Sequence, residues 1–251
     1  MTDQKVLFAL AHPDDETIAT GLDLIKHLAA ARDVYVLTLT RGTASGVLAV
    51  LNGTVTSSVW GMPHDPVTEG YAPLDAAAFG AARIAETACA LKVLASGSGR
   101  TITHLEAGLE DQAVTKAGVM AAIQAVYDQL CAPGEQLWLK THTDALAPGG
   151  LPLENPDHTA AGQAVRQLAA DESAVFGNVR FYGLPAHWGD AAFVAKHPSR
   201  SLPVAGTTQA AAVLDAYEAF RCWAPDALRF AIGHQSVASL FISAPENRYH
   251  Q

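Results

Sequence analysis

Short apolar runs alternate with helix-period stretches along most of the chain. Residues 6–11 (VLFALA) form an apolar run bounded by charge, as in a strand buried on both faces. Beyond His12-Pro13, Ile18, Leu22, Ile25 and Leu28 recur on one helical face, and 34–39 (VYVLTL) reads as a second strand. Strand, helix and strand in about 35 residues make a βαβ unit with a right-handed crossover. Further helices are expected over 76–91 (Phe79, Ile84 and Ala88 towards the core), 115–130, 155–170 and 208–221. Further strands are expected at 101–105, 136–141, 179–182, 228–232 and 239–242. The alternation predicts the α/β class: a Rossmann-like, mostly parallel sheet with helices on both faces, forming a single domain over 1–251.

Three stretches break the rhythm. Residues 144–154 are a Pro/Gly-rich loop and 183–206 are irregular. The third, a long loop insertion at about 43–75, is rich in Gly, Thr, Ser and Pro and carries Trp60 and Tyr71. Loops of this length in a compact domain are usually lids, binding loops or disordered segments. Its two large aromatics suit stacking on a sugar or an aromatic scaffold, so Trp60 and Tyr71 are candidate substrate contacts.

Composition narrows the partners. Hydrophobic residues at 49% against 16% charged place the chain among globular proteins rather than disordered ones. A net charge of −9 without a Lys/Arg cluster argues against nucleic acid and against an anionic membrane surface. Cys89, Cys131 and Cys222 are odd in number and far apart, which fits buried free thiols rather than disulfides. The first residues lack the apolar run of a signal peptide, and no stretch approaches the ~20 apolar residues that span a bilayer. A cytoplasmic location is expected.

The chemistry concentrates at two places. His12-Pro13-Asp14-Asp15-Glu16 stands where the first strand hands over to a helix, and open α/β sheets bind ligands beyond the carboxyl ends of their strands. Pro13 fits a first helical position, and Asp14 and Asp15 then occupy the first turn, where the helix dipole favours ionised carboxylates. The same grammar recurs at Asn155-Pro156-Asp157-His158, with Asn155 as the N-cap. Two such helix starts facing each other present His12, Asp15 and His158 to one ion. Two imidazoles and a carboxylate leave a fourth position open, as in catalytic zinc sites.

At these residues the chain resembles the LmbE/PIG-L family of zinc-dependent de-N-acetylases. The resemblance takes in AHPDDE, the second strand ending in Leu39-Thr40-Arg41-Gly42, the Arg83-Ile84-Ala85-Glu86 stretch and the Asn-Pro-Asp-His motif, with weaker matches through 209–220. It implies Zn²⁺ held by His12, Asp15 and His158, Asp14 as general base, and Arg83 as a sugar-holding residue. The bland alternative for Arg83 is a surface i,i+3 pair with Glu86. Where the family has a histidine, this chain has Asn155, which can donate to an oxyanion but cannot shuttle a proton. His142, at the end of the preceding strand, is a candidate substitute, as are His187 and His234.

The expected activity is metal-dependent hydrolysis of an N-acyl, above all N-acetyl, amide on a small aminosugar or glycoconjugate, plausibly one from antibiotic biosynthesis. Three other readings stand beside it: an amidase that cleaves thiol-cofactor conjugates at the same site, a sugar-binding protein that keeps the metal without catalysis, and a ferrous oxygenase, which also uses two histidines and a carboxylate. The βαβ pattern speaks against the last, and an aspartate beside the ligands speaks against pure binding. Oligomeric state is not legible in the sequence.

Overall fold

The computed structural model describes residues 4–146, 154–187, 199–201, 208–243 and 248–250. Its centre is a sheet in the order β3-β2-β1-β4-β5: β3 is Ile102–Leu109, β2 Asp33–Thr40, β1 Lys5–Leu10, β4 Leu137–His142 and β5 Phe176–Tyr182. All four pairings within this set are parallel. Residues Val6 to Leu10 of β1 are wholly buried, as expected for a strand covered on both faces. The α/β class and mostly parallel sheet expected from the alternation are therefore present.

Helices cover both faces. One face carries α2 (Gly21–Ala29), α4 (Ala76–Ala95) and α7 (Thr208–Arg221), whose Leu22, Leu28, Leu91 and Phe220 join Phe8 and Val36 in one core cluster. The other carries α5 (Lys116–Leu130) and α6 (Pro156–Asp171), where Ile123, Val165 and Leu168 meet Leu7, Leu37 and Leu139. Strand order reverses direction at β1/β4, because β2 and β3 lie to one side of β1 while β4 and β5 lie to the other. That junction is the switch point where α/β sheets open a crevice for ligands.

Several expectations need correction. Residues 239–242 are not a strand but the second part of α8 (Ile232–Ser243), two helical pieces that meet at a kink at Val237, where φ is −141° and ψ 36°. Of 228–232, only Arg229–Phe230 (β8) is extended; it pairs with Trp223–Ala224 (β7) in a separate hairpin. The main sheet is instead extended by two short antiparallel strands, β9 (Arg248–His250) on β5 and β6 (Ser199–Ser201) on β9. The expected loop at 144–154 and the irregular segment at 183–206 lie partly outside the described residues. Helix α4 is rotated from its expected face: Phe79 is buried, but the inner face continues through Ala82, Arg83, Glu86 and Ala90, with Ile84 and Ala88 half-buried. Arg83 and Glu86 are thus not a surface pair.

The 43–75 insertion has structure of its own. It contains α3 (Val47–Leu51), whose Val47 and Leu51 pack with Phe79, Phe230 and Ile232. Tyr71 donates its hydroxyl to Leu51 O at 2.7 Å, and Asn52 exchanges hydrogen bonds with the backbone of Leu74.

Helix α6 lies close against the end of β4 because Gly162 has no side chain. A Cβ there would stand 2.7 Å from both His142 O and Asp144 N. Gly162→Ala is expected to cost about 1–3 kcal/mol, the range for overpacking a tight core. Urea unfolding of parent and variant at equal m-value measures it; an unchanged midpoint would mean that α6 can move outward without penalty.

Candidate metal centre and active-site pocket

The switch point brings together what the two motifs supply. Beyond β1 the chain turns through His12-Pro13-Asp14 into a single helical turn, α1 (Asp15–Ile18). Here the expected grammar is modified. Pro13 precedes the helix, and Asp14 is the N-cap, with φ of 102°. A non-glycine residue in that region costs about 1–3 kcal/mol, and such strain concentrates at functional sites. Glu16 steadies the turn by accepting the Asp14 N–H at 3.0 Å. The second motif follows the expectation: Asn155 caps α6 by accepting from Asp157 N at 2.9 Å, and Pro156 opens the helix.

Three donor atoms converge. His12 Nδ1 is 3.1 Å from His158 Nε2 and 3.7 Å from Asp15 Oδ2, which is 3.3 Å from His158 Nε2. Tetrahedral ligands at zinc-type bond lengths stand about 3.3 Å apart, so the triangle fits one such ion. His12, Asp15 and His158 form one of the metal-capable groups among the described residues.

The far nitrogens of both imidazoles are engaged, which fixes the orientation of each ring. His12 Nε2 lies 3.3 Å from Asp157 Oδ2 and 3.3 Å from Asp111 Oδ1. Asp157 is itself held by the Gln112 and Val114 N–H groups. His158 Nδ1 lies 2.9 Å from Glu154 Oε2, while Glu154 Oε1 accepts from Leu184 N at 2.6 Å. A carboxylate behind each ligating histidine is the usual support of a metal site.

The electrostatics agree with a cation-binding role. Burial works against a proton on His158, but Asp15 and Glu154 outweigh it and push its pKa up. His12 is also raised: burial opposes it, and Asp111, Asp157 and Asp15 prevail. The cluster retains positive charge between its carboxylates, and a metal ion supplies that charge while displacing protons.

The two adjacent aspartates part company. Burial opposes ionisation of Asp15, yet His158 and His142 hold it well below the usual carboxylate range. In Asp14 burial wins over the Arg83 guanidinium and lifts the carboxyl to about 6. The sequence-based expectation that the helix dipole ionises both alike is therefore corrected: desolvation dominates at Asp14. Paired carboxylates with diverging pKa values are how one site provides distinct roles.

Arg83 Nη2 donates to Asp14 Oδ2 at 3.0 Å and to Pro13 O at 2.7 Å, and Nη1 donates to Gly42 O at 2.9 Å. Gly42 admits it: φ is +63°, and a Cβ would fall 1.7 Å from Nη1. Glu86, one turn on, accepts from the N–H groups of Phe230, Ile232 and Gly233 and anchors the start of α8.

A pocket of about 270 Å³ opens over these groups, lined by His12, Asp14, Asp15, Arg83, Asp111 and His158, with Asn155 at its side. His142 does not line it. It is fully buried beneath, with its ring stacked on His158 at 3.8 Å and Nε2 3.1 Å from Asp15 Oδ2. His142 is thus placed to hold a ligand, not to reach substrate. His187 lies in a short turn (Pro185–His187), and His234 is paired with the Tyr217 hydroxyl at 2.5 Å; neither is among the pocket's described residues. Trp60 and Tyr71 lie elsewhere too, around Trp223, with ring centroids 4.8 Å and 5.9 Å from it.

The family comparison joins this geometry to known proteins. The model for the PIG-L family, described as GlcNAc-PI de-N-acetylase, matches residues 7–169, a segment that contains both motifs. The chain belongs to this family. Over 97 residues the chain is 34% identical to a 1D-myo-inositol 2-acetamido-2-deoxy-alpha-D-glucopyranoside deacetylase of Rhodococcus erythropolis. The aligned part is 39% of this chain and spans only 28% of that relative's length. The same fold occurs in a deacetylase of the teicoplanin biosynthetic pathway, with TM-score 0.56 and 18% identity over 95% of this chain and 88% of that one. It also occurs in the 4-carboxy-2-hydroxymuconate hydratase GalB of Pseudomonas putida, with TM-score 0.53 and 15% identity over 98% of this chain and 94% of that one. Likeness at this level carries the fold; the chemistry has to be argued from the residues. No helix among the described residues is long and apolar enough to cross a membrane.

Proposed function

We propose that this PIG-L-family chain is a zinc-dependent hydrolase that removes an acyl group from the nitrogen of an aminosugar or a small glycoconjugate. One observation carries the reading: Asp14 lines the pocket beside three donor atoms spaced for one ion, without being one of them. A hydratase and a pure binding protein fit less well with the family and with an unligated carboxyl tuned toward neutrality.

His12, Asp15 and His158 would hold the ion. When bound, zinc supplies Lewis-acid polarisation of the amide carbonyl and of the attacking water. Asp14 takes the proton of that water as its oxygen attacks the carbonyl carbon. Arg83 keeps the Asp14 carboxylate in place and stabilises its ionised form. Asn155 uses its side-chain oxygen for the helix cap, which leaves its amide N–H groups to donate to the developing oxyanion. Since Asn155 cannot carry a proton and His142 lies beneath the site, Asp14 also returns the proton to the departing nitrogen. The C–N bond breaks to give a free amine and a carboxylic acid.

Mass spectrometry of N-acetylglucosamine, N-acetylglucosaminyl-inositol and a glycopeptide bearing N-acetylglucosamine, each incubated with metal-loaded protein, tests the reading. Loss of an acetyl mass with release of acetate is expected for at least one of them. Absence of turnover on all three, with metal bound, would overturn it.

A further inference from the structure

The pocket is chemically two-sided, and the sheet order shows how the sides divide. Towards β2 and β3 its lining is polar: Ser45 follows β2, and Asp111 and Gln112 follow β3. Towards β5 and α8 it is mainly apolar: Leu184 follows β5, Val237 and Leu240 belong to α8 beside the polar Ser236, and Ile18 ends α1. All four of these side chains pack in or against the same core cluster. The metal-ligand triangle, drawn from the ends of β1 and α6, stands between the halves. Leu184, Val237 and Leu240 are half-buried, so each still offers apolar surface to a ligand. They also lie beyond residue 169, outside the segment that the family model matches.

We infer that the apolar half binds the acyl chain of the substrate, and that the preferred acyl group is longer than acetyl. The inference rests on the proposed amide hydrolysis and specifies its substrate. A trans amide sends its nitrogen substituent and its acyl carbon chain to opposite sides. With the amide at the ligand triangle, the hydroxyl-bearing sugar belongs with Ser45, Asp111 and Gln112, where its hydrogen bonds are met. The acyl chain then runs along Ile18, Leu184, Val237 and Leu240. An acetyl methyl needs little of that wall, whereas Leu184, Val237 and Leu240, backed by the buried Ile18, offer cover for several methylenes. Each methylene moved from water onto such a surface gains up to about 0.8 kcal/mol, close to fourfold in kcat/KM.

The test uses N-acetyl, N-butyryl, N-hexanoyl and N-octanoyl glucosamine with the full-length metal-loaded enzyme. The expected result is a rise in kcat/KM of about twofold to fourfold per methylene up to hexanoyl, where the partial exposure of the wall sets the lower figure. Val237→Asn and Leu240→Asn should each pull the hexanoyl-to-acetyl ratio towards one; because the ratio is internal to each variant, it is insensitive to how much enzyme folds. A parent that cleaves acetyl best would overturn the inference while leaving the deacylase reading intact. A parent that favours hexanoyl, with variants that keep the same ratio, would show that the chain binds elsewhere, which also overturns it. No cleavage of any member would remove the deacylase reading and this inference together.

Discussion

Asp14→Asn is expected to lower kcat by about 10²–10⁴-fold, the range for loss of a positioned general base. The substitution keeps the size of the side chain and an oxygen for Arg83 to donate to, so the turn at φ 102° and the pocket should persist. Metal content should be unchanged, because the donor triangle does not include Asp14. The measurement pairs steady-state kinetics with metal analysis of the same preparation. Retained activity would move the base role to another group, and parallel loss of metal and activity would make Asp14 a ligand.

The second large effect concerns the triangle itself. His12→Ala, Asp15→Ala and His158→Ala are each expected to weaken zinc binding by more than about 10²-fold, since loss of supporting groups alone costs 10–100-fold at such sites. Activity should fall with occupancy and, for the parent stripped by chelator, return on adding one equivalent of zinc. Asp15→Ala carries a further consequence. It leaves the stacked rings of His142 and His158 without the carboxylate oxygen that both Nε2 atoms approach, so a loss of thermal stability should accompany the loss of metal. Unaltered zinc affinity in all three variants would show that the ligand set is misassigned.

Much of this site was legible because each motif is local. A buried strand running into His-Pro-Asp-Asp places residues at a sheet edge whatever the rest of the chain does, and Asn155-Pro156 announces a helix start by its own chemistry. What failed to show was non-local. Asp111 escaped because β3 runs to Leu109, four residues past its expected end, and only the full strand carries the following acid to the switch point. Glu154 had a signal, its i,i+4 spacing from His158, but lay in a stretch read as loop. Asp157 was visible in the motif, yet its partnership with His12 spans 145 positions and depends on tertiary packing. The aromatics of the 43–75 insertion misled for a related reason: a Trp or Tyr on an irregular segment looks the same whether it awaits a ligand or a neighbour, and here Trp223 and Phe230 supply the neighbours. The helical face of α4 was missed because two charged residues, Arg83 and Glu86, occupy positions that hydrophobic periodicity assigns to solvent.

The Glu86 anchor bears on how such an enzyme can change. Its carboxylate grips main-chain N–H groups of Phe230, Ile232 and Gly233, which every residue but proline possesses. Gly233 is demanded as a residue type, since a Cβ there would meet Phe220 at 2.6 Å, and Phe230 and Ile232 are apolar because they are buried. These bonds hold the start of α8 without reading its side chains, while the fully buried Ile232 and Phe241 pack the helix into the core. Selection, or a designer, can rewrite Ser236 and exchange Val237 and Leu240 for other apolar residues while Ile232 and Phe241 keep the helix docked and the proposed metal ligands, on separate elements, stay as they are. Retuning within this one helix, with the proposed metal centre left whole, is the course that the architecture leaves open.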